Sequence, residues 1–324
     1  ITDSEDKQKG EALTPGTVQA YKNQFAAEPT KALMQNVVTR HDVNQVAMRR
    51  SIVAEATHSF STVLDSWKVT NQSRTGRCWM FAGLNLVRSD TRNELNLKEF
   101  EFSQSYLMFW DKLERANFIL EAIIETADLP VDDRTVAWLL QRPIEDGGQW
   151  DMFVSLVKKY GVVPKTVMVE TESSSNSSRL NQMLNYQVRQ GSKRIRDSYA
   201  TESGLDELRR IKDEVVGTIY QMLCIHLGTP PSSFFWQWKD KDDEFRRDGE
   251  MSPVEFADKY VSTPLDEYVC LVHDPRPTSE QGKTYTVKYL GNLKDGPPIK
   301  YLNVDIQLMK DLTAKQLEDG LPVW

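Results

Sequence analysis

A glutamine six residues ahead of a cysteine that opens a long apolar helical run limits this chain's fold more than any other feature. The stretch reads Asn71-Gln72-Ser73-Arg74-Thr75-Gly76-Arg77-Cys78-Trp79-Met80-Phe81-Ala82. A thiol is a nucleophile only as its thiolate, and a helix N-terminus favours negative charge. A nearby glutamine amide can donate to the oxyanion that forms when a thiolate attacks a carbonyl. Gly76 permits a tight approach into the helix, and Trp79 can cover one side of the sulfur. Trp79, Phe81, Ala82, Leu84, Leu86 and Val87 occupy most faces of a helix expected over 78–93, so that helix is central and buried. The pattern predicts Cys78 as nucleophile, with the Gln72 side chain and the Cys78 backbone N–H as oxyanion donors.

Composition narrows the setting. Three cysteines, an odd number without short-range pairing, do not build a disulfide framework. Residues 1–10 are polar and charged and carry no apolar signal core. No uncharged apolar run approaches membrane-spanning length, so no membrane partner is expected. A glycan on the formal sequon Asn71-Gln72-Ser73 would crowd the oxyanion donor. A cytoplasmic location is therefore expected. The net charge of −7 argues against nucleic acid as a partner, because neutralising phosphates needs a basic surface. No cofactor and no metal are expected. Asp240-Lys241-Asp242-Asp243-Glu244 lacks the glycine and terminal glutamate of a calcium loop and reads as a solvated surface run. Cys224 and Cys270 have no ligand at zinc-like spacing and read as buried small hydrophobes.

Helical signals begin at Thr14-Pro15-Gly16, with Val18, Tyr21 and Phe25 on one face, and continue through Ala32 to Val37. A further long helix is expected over 103–126, ended by Asp128-Leu129-Pro130. Asp132-Asp133 reads as a turn and helix cap. The serine-rich run 171–178 reads as a loop and N-cap, and 179–260 as largely helical and charged. Short β-branched runs at 268–272, 284–289 and 299–304 suggest strands, and 306–317 returns to helical spacing.

Taken together, Gln72, the six-residue spacing, Cys78-Trp79 and Phe81-Ala82 resemble the active-site segment of papain-like cysteine peptidases. With Arg77, Leu84-Asn85 and Arg88 the resemblance narrows to the bleomycin hydrolase and bacterial aminopeptidase C branch. Secreted papain relatives usually carry a small residue at the position of Arg77. Phe102-Ser103-Gln104-Ser105-Tyr106-Leu107, Asp146-Gly147-Gly148-Gln149-Trp150, Tyr160-Gly161-Val162-Val163-Pro164 and Lys283-Thr284-Tyr285-Thr286-Val287 extend it over nearly the whole chain.

The resemblance implies an α+β papain-like fold. It would comprise an N-terminal helical arm (1–65), a helical lobe with the nucleophile (66–170), a helical insertion (171–262) and the start of a β-rich lobe (263–324). It implies peptide substrates, trimming from the N-terminus through an acyl-enzyme, and a homohexamer assembled through the insertion. Gly147 and Gly148 are implied as substrate-binding, since papain relatives pair main chain with bound peptide there and a residue without Cβ permits that approach. The catalytic His and Asn are implied beyond Trp324.

The four histidines present do not fit the role of base. His226 falls in the usual spacing window after Cys78, but it ends an amphipathic helix stopped by Gly228 and Pro230. His273 lies on a strand-like run to which the resemblance gives no catalytic role, and His41 and His58 precede the motif in polar segments. A helix terminus alone supplies roughly 0.3–1 kcal/mol at an exposed site. The resemblance implies a thiolate–imidazolium pair, which lowers a thiol pKa far more than that. The alternative reading is a catalytically incomplete papain-like fragment, or a peptide-binding or assembly protein.

Overall fold

The computed structural model describes residues 11–64 and 68–324. The polar opening segment 1–10 and the expected 65/66 boundary lie outside the described residues. The chain divides into two compact units, Ile1–Ser61 and Thr62–Trp324.

The first unit carries four helices: α1 (Pro15–Ala26), α2 (Pro29–Val38), α3 (Val43–Ala47) and α4 (Arg50–Glu55). The start of α1 follows local rules. Thr14 accepts a hydrogen bond from Thr17 N–H, and Pro15 contributes its preset φ without losing a needed donor. None of these helices contains a buried residue. Tyr21, Phe25, Leu33 and Met34 are exposed.

The second unit is built around α5 (Cys78–Leu95). Met80, Leu84, Val87 and Leu95 are each at most 1% exposed. Around α5 lie α6 (Gln104–Glu125), α8 (Trp150–Tyr160) and α12 (Pro253–Tyr260), with α7 (Arg134–Gln141) against α6. Ser103 caps α6 and Asp133 caps α7, both where turn or cap chemistry is expected. After the short α9 (Glu172–Ser175), the antiparallel pair α10 (Ser178–Ala200) and α11 (Leu205–Leu227) packs on α6. Leu184, Val188, Ile195, Ile219 and Leu223 are fully buried along these helices.

Two expectations need refinement. The run 171–178 is not simply a loop. Thr171 and Ser174 form a reciprocal capping box that nucleates α9. The stretch 179–260 is largely helical as expected, with one exception that the sequence did not announce. It contains an antiparallel hairpin, β1 (Phe234–Lys239) and β2 (Phe245–Met251), before α12. Phe234 and Trp236 face inward while Phe235 and Gln237 face out, the two-residue period of a half-buried strand. The charged run 240–244 is the hairpin turn. Asp240 is itself buried and accepts the N–H groups of Asp242 and Glu244 at 3.0 Å each.

The last segment holds a small sheet of order β3-β5-β4, from β3 (Leu271–Val272), β4 (Thr284–Tyr285) and β5 (Tyr301–Asn303), followed by α13 (Ile306–Glu318). Buried Asn303 fastens its connection. The amide donates to the carbonyls of Ser279 (3.0 Å) and Asp274 (3.3 Å), and its oxygen accepts Asp274 N–H at 2.8 Å.

Candidate active site

Cys78 is the first residue of α5 and is exposed, whereas Trp79 and Met80 behind it are buried. The thiol therefore sits at solvent on a rigid, buried helix. The N–H groups of Cys78 and Trp79, the first two of the helix, have no intrahelical acceptor and point to where negative charge would be met, while Met80 N–H already donates to Arg77 O at 3.0 Å. Gln72, in the loop that leads into α5, is held by a clasp to Thr75. Its Nε2 donates to Thr75 O (2.8 Å), and Thr75 Oγ1 donates back to Gln72 O (2.7 Å). Ser73 adopts φ 56° within this turn. An amide nitrogen carries two N–H groups. One is committed to Thr75, which leaves the other for an incoming ligand.

Seventy residues on, the Asp146-Gly147-Gly148 loop interlocks with this segment. Asp146 Oδ2 accepts Gly76 N–H at 3.0 Å, and Trp79 Nε1 donates to Asp146 O at 2.6 Å. A Cβ on Gly148 would stand 2.4 Å from Trp79 Cε2, so the indole lies on a surface that only glycine leaves open. A Cβ on Gly147 would meet nothing within 4 Å, and Gly147 O accepts a hydrogen bond from Arg115 at 2.8 Å. The two glycines are thus unlike. Gly148 makes room for Trp79, while Gly147 faces open space. The indole bonds Asp146 O and lies against Gly148, which gives it an anchoring role beside the one expected from sequence, while Trp79 O accepts Trp324 Nε1 at 2.9 Å.

Asp146 is the hub of the interlock. Besides Gly76 N–H it takes Lys112 Nζ (2.7 Å) and Asn181 Nδ2 (2.8 Å) on Oδ1, and Ser177 Oγ (2.5 Å) on Oδ2. Lys112 also donates to Glu145 O at 2.5 Å. Burial alone would raise the Asp146 pKa. The Lys112 ammonium and the donors from Gly76 and Ser177 outweigh it and hold the carboxyl well below the usual carboxylate range. Burial pushes the Lys112 pKa down, opposed by Asp146 and Asp111. With Lys112 and Asp146 2.7 Å apart, the pair is ionic. Lys112, Ser177 and Asn181 were not legible as site-supporting residues. The available signal was an Asp111-Lys112 step amid the apolar positions of a long helix, where buried charges need partners.

Arg77, immediately before the nucleophile, is 1% exposed. It forms a bidentate pair with Glu170 (3.1 and 2.9 Å), and its Nε donates to Thr75 Oγ1 at 3.1 Å.

The histidines of this unit are engaged elsewhere. His226 Nδ1 lies 2.8 Å from Ser173 Oγ near the end of α11, and His273 Nδ1 lies 3.0 Å from Val304 O. Cys224 and Cys270 are half-buried and free. Burial, with the Asp151 charge, pushes the Cys270 thiol up to about 11. A cavity of about 420 Å³ lined by Trp138, Gln141, Arg142 and Glu145 opens beside α7, and Cys78 is not among its lining residues. Among the described residues no helix is long and apolar enough to cross a membrane.

An exposed cysteine heading a buried helix, a clasped glutamine six residues earlier and a glycine loop locked onto the intervening Gly76 and the following Trp79 are the arrangement of a papain-like cysteine peptidase. The profile of the Peptidase C1-like family matches residues 12–324, and the chain belongs to that family. It is 40% identical to an aminopeptidase C of Listeria innocua serovar 6a, over 96% of this chain and 70% of that protein. It is likewise 40% identical to a bleomycin hydrolase of Gallus gallus, over 94% of this chain and 68% of that protein. The crystal structure of PepW from Lactobacillus rhamnosis HN001 superposes with a TM-score of 0.92 at 38% identity, covering 97% of this chain and 70% of that one.

Proposed function

We propose that the chain is a cysteine aminopeptidase that releases N-terminal residues from peptides through an acyl-enzyme on Cys78. The observation that carries the reading is the exposed Cys78 at the uncapped N-terminus of buried α5, with Gln72 clasped to Thr75 six residues earlier in the chain. The names of the relatives, aminopeptidase C and bleomycin hydrolase, support it.

In the first step Cys78 Sγ bonds to the scissile carbonyl carbon, and the carbonyl π pair moves onto oxygen. The free Gln72 N–H and the Cys78 backbone N–H receive that charge. One such donor is typically worth about 2.7–4 kcal/mol. The C–N bond then breaks, the amine leaves with a proton, and water hydrolyses the thioester. On this reading Gly147 presents main chain to the substrate, consistent with the open space where its Cβ would be. The thiol proton passes to a base and from it to the leaving amine, and the resemblance assigns that base to a histidine oriented by an asparagine. The cytosol as location and a homohexamer built through 171–262 belong to the same reading.

The test is turnover of aminoacyl-coumarin amides by the full-length protein, with free and with acetylated amino ends, and with Cys78→Ser. Turnover confined to free amino ends and abolished by Cys78→Ser is expected. Cleavage only at internal bonds would overturn the exopeptidase assignment, and undiminished turnover by Cys78→Ser would overturn the nucleophile.

A further inference from the structure

We propose that Thr75, held by the buried Arg77–Glu170 pair, is a positioning residue that aims the Gln72 amide at the oxyanion. The inference rests on the nucleophile and oxyanion roles assigned above.

Four residues form one directed chain. Glu170 accepts both terminal nitrogens of Arg77. Arg77 Nε donates to Thr75 Oγ1 (3.1 Å), Thr75 Oγ1 donates to Gln72 O (2.7 Å), and Gln72 Nε2 donates to Thr75 O (2.8 Å). Thr75 Oγ1 holds the Gln72 main-chain carbonyl and Thr75 O holds the Gln72 side-chain amide, so Thr75 fixes both the backbone and the side chain of Gln72. Ser174 Oγ adds a donor to Glu170 Oε2 at 2.6 Å, and the Arg77 guanidinium lies 5.1 Å from the centre of the Phe81 ring. An arginine this deeply buried is costly unless paired. Here its planar fork meets Glu170 in the bidentate geometry that suits it, and its remaining Nε is aimed at Thr75. Donor chains of this kind polarise and order one another. The Arg77 position thus does more than fill space before the nucleophile. It converts a buried charge pair into orientation of a side chain five residues earlier.

Two reagents separate orientation from mere integrity of the thiol. A free-amino peptide aldehyde captures Cys78 by forming one S–C bond, with the thiol proton ending on the former carbonyl oxygen. That adduct carries its oxygen where the Gln72 donor acts. Iodoacetamide alkylates the same sulfur by displacing iodide and creates no oxyanion.

In the full-length protein, Thr75→Val is expected to weaken aldehyde affinity about three- to tenfold, the scale of one or two hydrogen bonds. Its alkylation rate should stay within about twofold of the parent, and Thr75→Ser should restore aldehyde affinity. Glu170→Gln, outside the motif, should shift aldehyde affinity in the same direction and serves if Thr75→Val does not fold. Unchanged aldehyde affinity, or equal loss in both reactions, would overturn the positioning role. Gln72→Ala distinguishes the failures. If it leaves aldehyde affinity intact, the oxyanion reading itself falls. If it weakens affinity while Thr75→Val does not, only the relay falls.

Discussion

The helices of 11–61 and the helix that carries Cys78 obey the same local rules, yet they end in opposite environments. α1 has a capped start, a proline at its first position and an apolar face, and buries nothing. α5 begins at Cys78 with Arg77 at the N-cap position and no side-chain capping bond, and ten of its residues are buried. Capping and propensity decide that a helix forms. Burial decides whether it can hold a reactive group still, because most helical stability in proteins comes from tertiary packing. The open α5 start also leaves N–H groups for function that a capping side chain would have occupied. The second unit adds a device not seen among the described residues of the first: segments 72–79 and 146–148 are locked through the carboxylate and the main-chain carbonyl of Asp146.

That contrast is broken most severely at Asp146. Asp146→Asn leaves Lys112 charged in a buried site, and removing one partner of such a pair costs about 3–5 kcal/mol. Thermal or denaturant unfolding of the second unit checks the loss, and proteolysis at 70–77 should accelerate. The same carboxylate sets an acid dependence. Its folded pKa lies below its unfolded value, so the unfolded chain binds the proton first. Its contribution is complete above the unfolded value of about 3.9 and fades as pH falls toward the folded value. Unfolding curves measured below about pH 4 should therefore drop less steeply in Asp146→Asn than in the parent.

A smaller effect is expected at the glycines. Gly148→Ala drives a methyl into Trp79 and should cost about 1–3 kcal/mol, the range for overpacking. Gly147→Ala meets no protein atom and should leave stability within about 0.5 kcal/mol. Equal losses at the two positions would remove the distinction between them. The smallest effect belongs to the first unit. Phe25→Ala should change unfolding by less than about 0.5 kcal/mol, as for surface substitutions generally. A loss of several kcal/mol there would show that this face is buried in the protein as it exists in solution.

Legibility in the sequence divides along a physical line. The helix from Cys78, the stop of α11 at Gly228 and the strands near 271, 284 and 301 follow from periodicity and turn chemistry within a dozen residues. So do the Cys78 and Gln72 assignments, whose spacing is local. The hairpin at 234–251 was missed because its neighbours are charged and helical, and its alternation spans only six residues in β1. The Asp146 hub was missed for a different reason. Lys112, Asn181, Ser177 and Gly76 approach Asp146 from segments 31 to 70 residues away. No local pattern encodes those meetings. The serines at 174 and 177 looked like loop residues, yet one bonds Glu170 and the other Asp146.

The most direct test of whether the chemistry of this chain is concentrated at Cys78 is the alkylation rate of each cysteine near pH 8, resolved by peptide mass spectrometry. Cys78 is exposed on a helix start, while Cys270 is half-buried with its pKa pushed up to about 11. The thiolate is the reacting form, so Cys78 should be modified more than about tenfold faster than Cys270, and ahead of Cys224. Labelling of Cys224 or Cys270 as fast as Cys78 would contradict the account, because it would place the reactive thiol away from Gln72 and the 146–148 loop.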